Sequence, residues 1–266
     1  MEIIIRPTPA ECAATAATIV ADLVRKNPAA VLGLATGSTP LGLYGELIRQ
    51  HRVEVLDFSR VTTFNLDEYV GLDGRHPASY RRFMQEHFFD HVNVRPENIH
   101  IPDGRASDIP AHCREYEDAI RQSGGIDLQV LGIGRDGHIG FNEPSSSLAS
   151  RTRIKTLTEK TISANRGSFS YGEEVPRHVI TMGVGTIMES RTCLLLAIGE
   201  AKSKALASMA EGPVTAMCPA SILQMHPCAV VIADEAAAQN LERADYYRYV
   251  YENKPDFQKI PPFRDA

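Results

Sequence analysis

The sequence predicts an α/β protein: a modified doubly wound (Rossmann-like), mostly parallel sheet flanked by helices. Three observations predict it. Short apolar runs bounded by glycine or polar residues, such as Leu128 to Leu131, have the look of strands buried on both faces. These runs alternate with stretches of helical period along the whole chain, with no internal repeat and no linker-like segment, which is the pattern of one α/β domain over 1–266. Glycine-bearing polar loops follow several of the runs, where open α/β sheets bind ligands.

Taken in order, residues 2–6 read as a first strand. Thr8-Pro-Ala-Glu11 is a capping box with proline at the first helical position. Cys12, Ala16, Ile19, Val20, Leu23 and Val24 then recur at helical spacing. A second buried strand, 29–34, runs into Ala35-Thr-Gly-Ser-Thr-Pro40, and a helix follows through Leu43, Leu47 and Ile48. Strand, small polar loop and helix start suit either an anion site, because the first-turn amides of a helix point at whatever precedes it, or a plain β-α turn. A P-loop lysine is missing, so a nucleoside triphosphate is disfavoured. A third strand, 61–64, leads into Asn65-Leu-Asp-Glu-Tyr69, where Asp67 and Glu68 suit either a helix start or a general base with its neighbour. A helix with aromatic packing from Pro77 and an amphipathic helix over 108–122 precede the central strand. Further strands are expected at 179–182, 192–198 and 228–233. A lid is expected around 160–176, and a weakly structured or docked tail from 253.

Composition narrows the function classes. A formal net charge of -5 does not suggest nucleic acid or an anionic membrane. The 5 cysteines are an odd number without CxxC spacing, which disfavours a disulfide framework or a zinc site and suits reduced thiols in the cytoplasm. No apolar run reaches membrane length, and the first residues lack the pattern of a signal peptide. His87, His91 and His100 lack metal-ligand spacing and read as packing or surface residues.

The chemistry concentrates after the central strand, in Gly132-Ile-Gly-Arg-Asp-Gly-His-Ile-Gly-Phe-Asn-Glu143. Gly132 to Gly137 matches G-x-G-x-x-G, but no helical period follows, so the dinucleotide reading is disfavoured. Asp136 and His138, two apart, share one face if the segment is extended. A carboxylate beside an imidazole fixes its tautomer, which suits proton transfer; the alternative is a glycine-rich turn whose Asp and His satisfy backbone groups. Arg151, Arg153 and Lys155 alternate, so an extended segment presents three cations on one face, either as an anion site or as a charged guard on an edge strand. Lys202, expected in the first turn of a helix from Gly199, opposes the helix dipole and suggests an anion partner.

Phe64-Asn-Leu-Asp-Glu-Tyr-Val-Gly-Leu72, Gly132 to Pro144 and Ser147-Leu-Ala-Ser-Arg-Thr-Arg-Ile-Lys-Thr-Leu157 together resemble the glucosamine-6-phosphate deaminase family, in the same motif order from the first strand to about residue 245. The resemblance implies conversion of glucosamine 6-phosphate to fructose 6-phosphate and ammonia without metal or organic cofactor. It assigns Asp67 as the base that moves a proton between C2 and C1. His138 becomes the group that opens the pyranose ring, with Asp136 orienting it and Glu143 completing the relay. Thr36, Gly37, Ser38, Thr39, Arg166 and Lys202 match phosphate and sugar contacts. Ser146, Arg153, Lys155 and Thr156 match an allosteric site for N-acetylglucosamine 6-phosphate in members that are hexamers. The chain departs from the pattern at one point: the family arginine follows an Ala-Asn pair by two positions, whereas Asn165 here is followed directly by Arg166, and the next loop is one residue shorter.

Two rivals stand beside this reading. A 6-phosphogluconolactonase shares the sheet and phosphate loop but has no need of an enolising Asp67. A sugar-phosphate-sensing regulator would bring a helix-turn-helix segment and a basic surface, and neither is visible in the sequence.

Overall fold

The structure is a computed structural model that describes residues 1–258. Its elements are β1 (Glu2–Arg6), α1 (Pro9–Lys26), β2 (Val31–Leu34), α2 (Leu41–Glu54), β3 (Thr62–Asn65), β4 (Asp67–Tyr69), α3 (Tyr80–His87), β5 (Ile99–His100), α4 (Ile109–Gln122), β6 (Leu128–Gly132), β7 (Arg153–Thr156), α5 (Glu159–Asn165), β8 (His178–Thr181), α6 (Val184–Met188), β9 (Thr192–Ala197), α7 (Ser203–Glu211), β10 (Ala229–Asp234), α8 (Glu235–Ala238) and α9 (Ala244–Glu252).

Seven strands form one parallel sheet in the order β1-β10-β9-β6-β2-β3-β5. Its central strands are buried along nearly their full length, which explains why β2, β6, β9 and β10 read as continuous apolar runs. From β2 the chain first winds outward through β3 and β5. It then returns to β2's other side as β6 and proceeds through β9 to β10. The winding therefore reverses between β2 and β6, and the crevice at their carboxyl ends is where a doubly wound sheet binds its ligand.

Local signals set the helices. Thr8 Oγ1 accepts from the Glu11 amide (3.2 Å) and donates to the Glu11 carboxylate (3.1 Å), closing the expected capping box on α1. Asp108 caps α4 by accepting from the Ala111 amide at 2.9 Å. Tyr116 of α4 reaches into the sheet, donating to the carbonyl of Asn65 at 2.8 Å. His100, expected at the surface or in packing, stacks on Phe64 with ring centroids 4.4 Å apart.

Two expectations change. The strand read at 179–182 forms as β8 but leaves the main sheet: it joins β4 and β7 in an antiparallel sheet ordered β4-β8-β7. Short polar segments such as Asp-Glu-Tyr and Arg-Ile-Lys-Thr have no apolar signature, so their pairing comes from tertiary context. Lys202 lies in a short 3-10 turn, Glu200–Lys202, and precedes α7 instead of sitting in its first turn. The tail is docked as far as it is described: Arg6 donates to the Tyr251 hydroxyl at 2.7 Å, and Lys254 pairs with Glu2. The rest of the expected tail, 259–266, lies outside the described residues.

The small sheet has its own satellite core of Tyr69, Ala78, Phe141, Leu157, Phe169, Val175 and Val179. Phe169 and Val175 come from the expected lid, so that segment is anchored by apolar side chains while α5 leans over the crevice.

Candidate active site

The crevice at the switch point holds a cavity of about 320 Å³. Thr36, Gly37, Ser38 and Thr39 after β2, Asp67 on β4, Asp136 and His138 after β6, and Lys202 all line it. Glu143 and Arg166 do not, and neither do Ser146, Arg153, Lys155 or Thr156. Arg135, Tyr80, Phe141, Lys160, Thr161 and Asn165 also line it and were missed. For Arg135 a signal existed, since it sits inside the glycine motif, but the motif was read only for its acid and its imidazole. The cavity positions of Lys160, Thr161 and Asn165 depend on where α5 docks, which the sequence does not encode locally.

Asp136 and His138 meet across a turn; the segment is not extended as expected. Gly137 adopts φ +83 at this turn and packs against Cys218, so a side chain there would be strained and would collide with the Cys218 sulfur. A Cβ at Gly134 would overlap the His138 ring. Gly134 thus makes room for the imidazole and Gly137 for the turn against Cys218, and no helix opens at Gly137, which removes the dinucleotide reading.

His138 Nδ1 lies 2.6 Å from Asp136 Oδ1. The hydrogen bond to His138 holds the Asp136 carboxyl well below its ordinary value, at about 2. An ionised carboxylate only accepts, so Nδ1 is the donor and Nε2 is left to exchange a proton with a ligand.

The two carboxylates of β4 separate cleanly, as successive side chains of a strand point to opposite faces. Glu68 turns away from the cavity and caps α3: its carboxylate accepts from the Ser79 hydroxyl (2.7 Å) and from the amides of Tyr80 (3.1 Å) and Arg81 (3.0 Å). Asp67 turns into the cavity and makes no side-chain hydrogen bond among the described residues. Its Oδ2 lies 3.6 Å from the point where a side chain on Gly140 would begin, which puts the catalytic loop directly beside it. Burial, with Glu68 as the lesser cause, pushes the Asp67 carboxyl up to about 8.

Glu143 is buried, and its carboxylate accepts from Thr158 Oγ1 at 3.1 Å and from Thr161 Oγ1. It makes no hydrogen bond to His138 among the described residues; it ties the catalytic loop to the start of α5. Arg166 is exposed and donates to the Glu173 carbonyl. On the small sheet, Arg153 and Lys155 share the half-buried face of the edge strand β7, whereas Arg151 is committed to ion pairs with Glu117 and Glu189. Ser146 Oγ is buried without a hydrogen-bond partner among the described residues. Among the described residues no group of three or more His, Cys, Asp or Glu side chains could hold a metal ion, and no helix is long and apolar enough to cross a membrane.

Fold and site together define an α/β protein whose switch-point cavity brings together a His–Asp pair, a buried carboxyl, a small polar loop and a lysine. Residues 8–232 match the model of the family described as glucosamine-6-phosphate isomerases/6-phosphogluconolactonase, and the chain belongs to that family. It is 56% identical over 260 residues to a glucosamine-6-phosphate deaminase of Arthrobacter sp. (strain FB24), covering 98% of this chain and 100% of the relative. It is 56% identical over 250 residues to one of Hahella chejuensis (94% of this chain, 95% of the relative). Among solved structures, a monomeric glucosamine-6-phosphate deaminase superposes with a TM-score of 0.88 at 44% identity, over 90% of this chain and 100% of that one. A 6-phosphogluconolactonase from Trypanosoma cruzi shares the fold at 20% identity and a TM-score of 0.73, over 91% of this chain and 97% of that one.

Proposed function

We propose that the chain converts glucosamine 6-phosphate and water to fructose 6-phosphate and ammonia. The observation that carries this reading is the buried Asp67 carboxyl, unpaired and facing the cavity it shares with the Asp136–His138 pair. A lactone hydrolase needs no second, separate base of this kind. The curated relatives named above as deaminases support the choice within the family.

The geometry divides the work. His138, with Nδ1 held by Asp136, uses Nε2 to carry the C1 hydroxyl proton to the ring oxygen, opening the pyranose to the aldehyde. Asp67 then takes the C2 proton, now acidified by the neighbouring carbonyl, and returns it to C1 while a proton passes from the amino nitrogen to the C1 oxygen, which leaves C1 as a hydroxymethyl group and C2 as an imine. Water adds at C2 and ammonia leaves. A carboxyl whose ionised form is destabilised by burial is a stronger base than one in water, and the substrate's ammonium beside it favours the ionised form on binding. The phosphate, held by the Thr36–Thr39 loop and Lys202, fixes the distance from handle to C2.

The test is an assay of purified, EDTA-treated protein for ammonia released from glucosamine 6-phosphate, in parallel with hydrolysis of 6-phosphogluconolactone. Ammonia release that survives chelation is expected. Activity confined to the lactone contradicts the assignment. On this reading the reaction belongs to the breakdown of amino sugars, with the cytoplasm as the proposed compartment.

A second, regulatory reading rests on the β7 cations and the unpartnered Ser146 hydroxyl, which together suit N-acetylglucosamine 6-phosphate as an allosteric activator of a homohexamer. The expected result is sigmoidal dependence on substrate that becomes hyperbolic with the effector, and loss of that response in Lys155→Ala. Hyperbolic kinetics in a monomer, unchanged by effector, would leave β7 as a charged edge strand, and the 44%-identical relative of known structure is monomeric.

A further inference from the structure

We propose that Arg135, and not Arg166, supplies the guanidinium that grips the phosphate of the substrate, acting with Lys202 and the Thr36–Thr39 loop. The proposal deepens the deaminase reading and rests on it for the identity of the phosphate ester. Arg135 lines the cavity and makes no ion pair or side-chain hydrogen bond among the described residues. Both arginines are exposed, but Arg166 stands outside the lining, with its guanidinium directed to the backbone carbonyl of Glu173. The cause is local: Arg166 directly follows Asn165, the last residue of α5, and lies in the short 3-10 turn Arg166–Ser168, which carries it away from the face of α5 that bears Lys160, Thr161, Ala164 and Asn165 into the cavity.

The surroundings of Arg135 are those of a dianion site. The anion loop and the glycine loop touch, with Thr39 Cβ 3.7 Å from where a side chain on Gly132 would begin, three residues before Arg135. Pro40, at the start of α2, offers no side-chain cap, and no acidic residue occupies the helix's first turn, so the first-turn amides are left for a ligand. Lys202 is half-buried, and its ammonium is pushed below its ordinary value by burial first and by Arg135 second. Two cations that repel each other in a partly desolvated crevice are unfavourable in the empty protein and favourable around a doubly charged anion. The one carboxylate that faces Lys202, Asp136, is already engaged by His138. A guanidinium matches phosphate with two parallel N–H donors, which an ammonium does not.

The experiment compares wild type with Arg135→Ala, Arg135→Lys and Arg166→Ala in two readouts: kcat and KM for glucosamine 6-phosphate, and the affinity of inorganic phosphate measured calorimetrically. Arg135→Ala should raise KM and weaken phosphate binding by on the order of 30-fold, the loss of a charge-assisted hydrogen-bonded contact, while kcat stays within about threefold because the phosphate is held alike in ground and transition states. Arg135→Lys should recover part of both losses. Arg166→Ala should have the smaller effect on each. The proposal is overturned if Arg135→Ala leaves KM and phosphate affinity within about threefold of wild type, or if Arg166→Ala has the larger effect. The phosphate readout does not depend on the reaction. Loss of phosphate binding in Arg135→Ala alongside a wild type that releases no ammonia would therefore uphold the anion site and remove the deaminase reading.

Discussion

Asp67→Asn should lower kcat by a factor of roughly 10³, within the range that a positioned general base contributes, and should at the same time make the protein more stable in alkaline solution. The first effect follows from position: Asp67 is the carboxyl that faces the cavity, while its neighbour Glu68 is consumed in capping α3. An amide keeps the shape but cannot accept the C2 proton. The second follows from linkage. Burial raises the folded-state value of Asp67 from 3.8 to about 8, so between those limits the folded protein retains a proton that the unfolded chain has released. Stability from this group is therefore fully present below about pH 4, falls as pH rises, and is lost above about pH 8. Asparagine does not titrate, so the variant should gain on wild type through that window, at about 1.4 kcal/mol per pH unit. Thermal melts at pH 6 and pH 9 check it: the gap between variant and wild type should widen by roughly 5–10 °C at the higher pH. A gap independent of pH would mean that Asp67 is not held in a desolvated site.

His138→Gln should divide substrates by form. With the cyclic sugar phosphate, kcat should fall by roughly 10²–10³, because no group remains to move a proton to the ring oxygen. With an open-chain analogue the loss should stay within about tenfold, because the ring-opening step is bypassed. The division rests on the geometry of the turn: Asp136 holds Nδ1 at 2.6 Å, leaving Nε2 to the ligand, while Asp67 reaches the site from a different sheet. Equal losses on both forms would remove the ring-opening role from His138.

The sequence made the main sheet legible because its strands are buried on both faces. Residues 2–6, 29–34, 128–131, 192–198 and 228–233 announce β1, β2, β6, β9 and β10 through apolar runs, with boundaries shifted by two residues at most. The small sheet was legible only in part: 179–182 read as a strand and the Arg151 to Lys155 segment as a candidate edge strand, but not their pairing with each other or with β4. Its strands β4 and β7 are short and polar and pair only because β8 leaves the main sheet to lie between them. The site divides in the same way. Asp136 and His138 were readable because glycines surround them for a steric reason, although they meet by a turn and not along a strand. Asp67 and Glu68 could not be told apart until the start of α3 was placed against one of them. The cavity position of Arg135 lay inside the glycine motif, whereas chain order carries no information about which side of α5 faces the crevice and so could not place Arg166 relative to it.

The central claim is that the cavity moves one proton from C2 to C1 and then releases ammonia. The most direct measurement runs the wild-type reaction with glucosamine 6-phosphate in heavy water and follows both products. The account expects one ammonia per fructose 6-phosphate, with deuterium entering at C1 through exchange on the Asp67 carboxyl, and no such incorporation in Asp67→Asn. Fructose 6-phosphate formed at an undiminished rate in Asp67→Asn, or no ammonia at all, would contradict it.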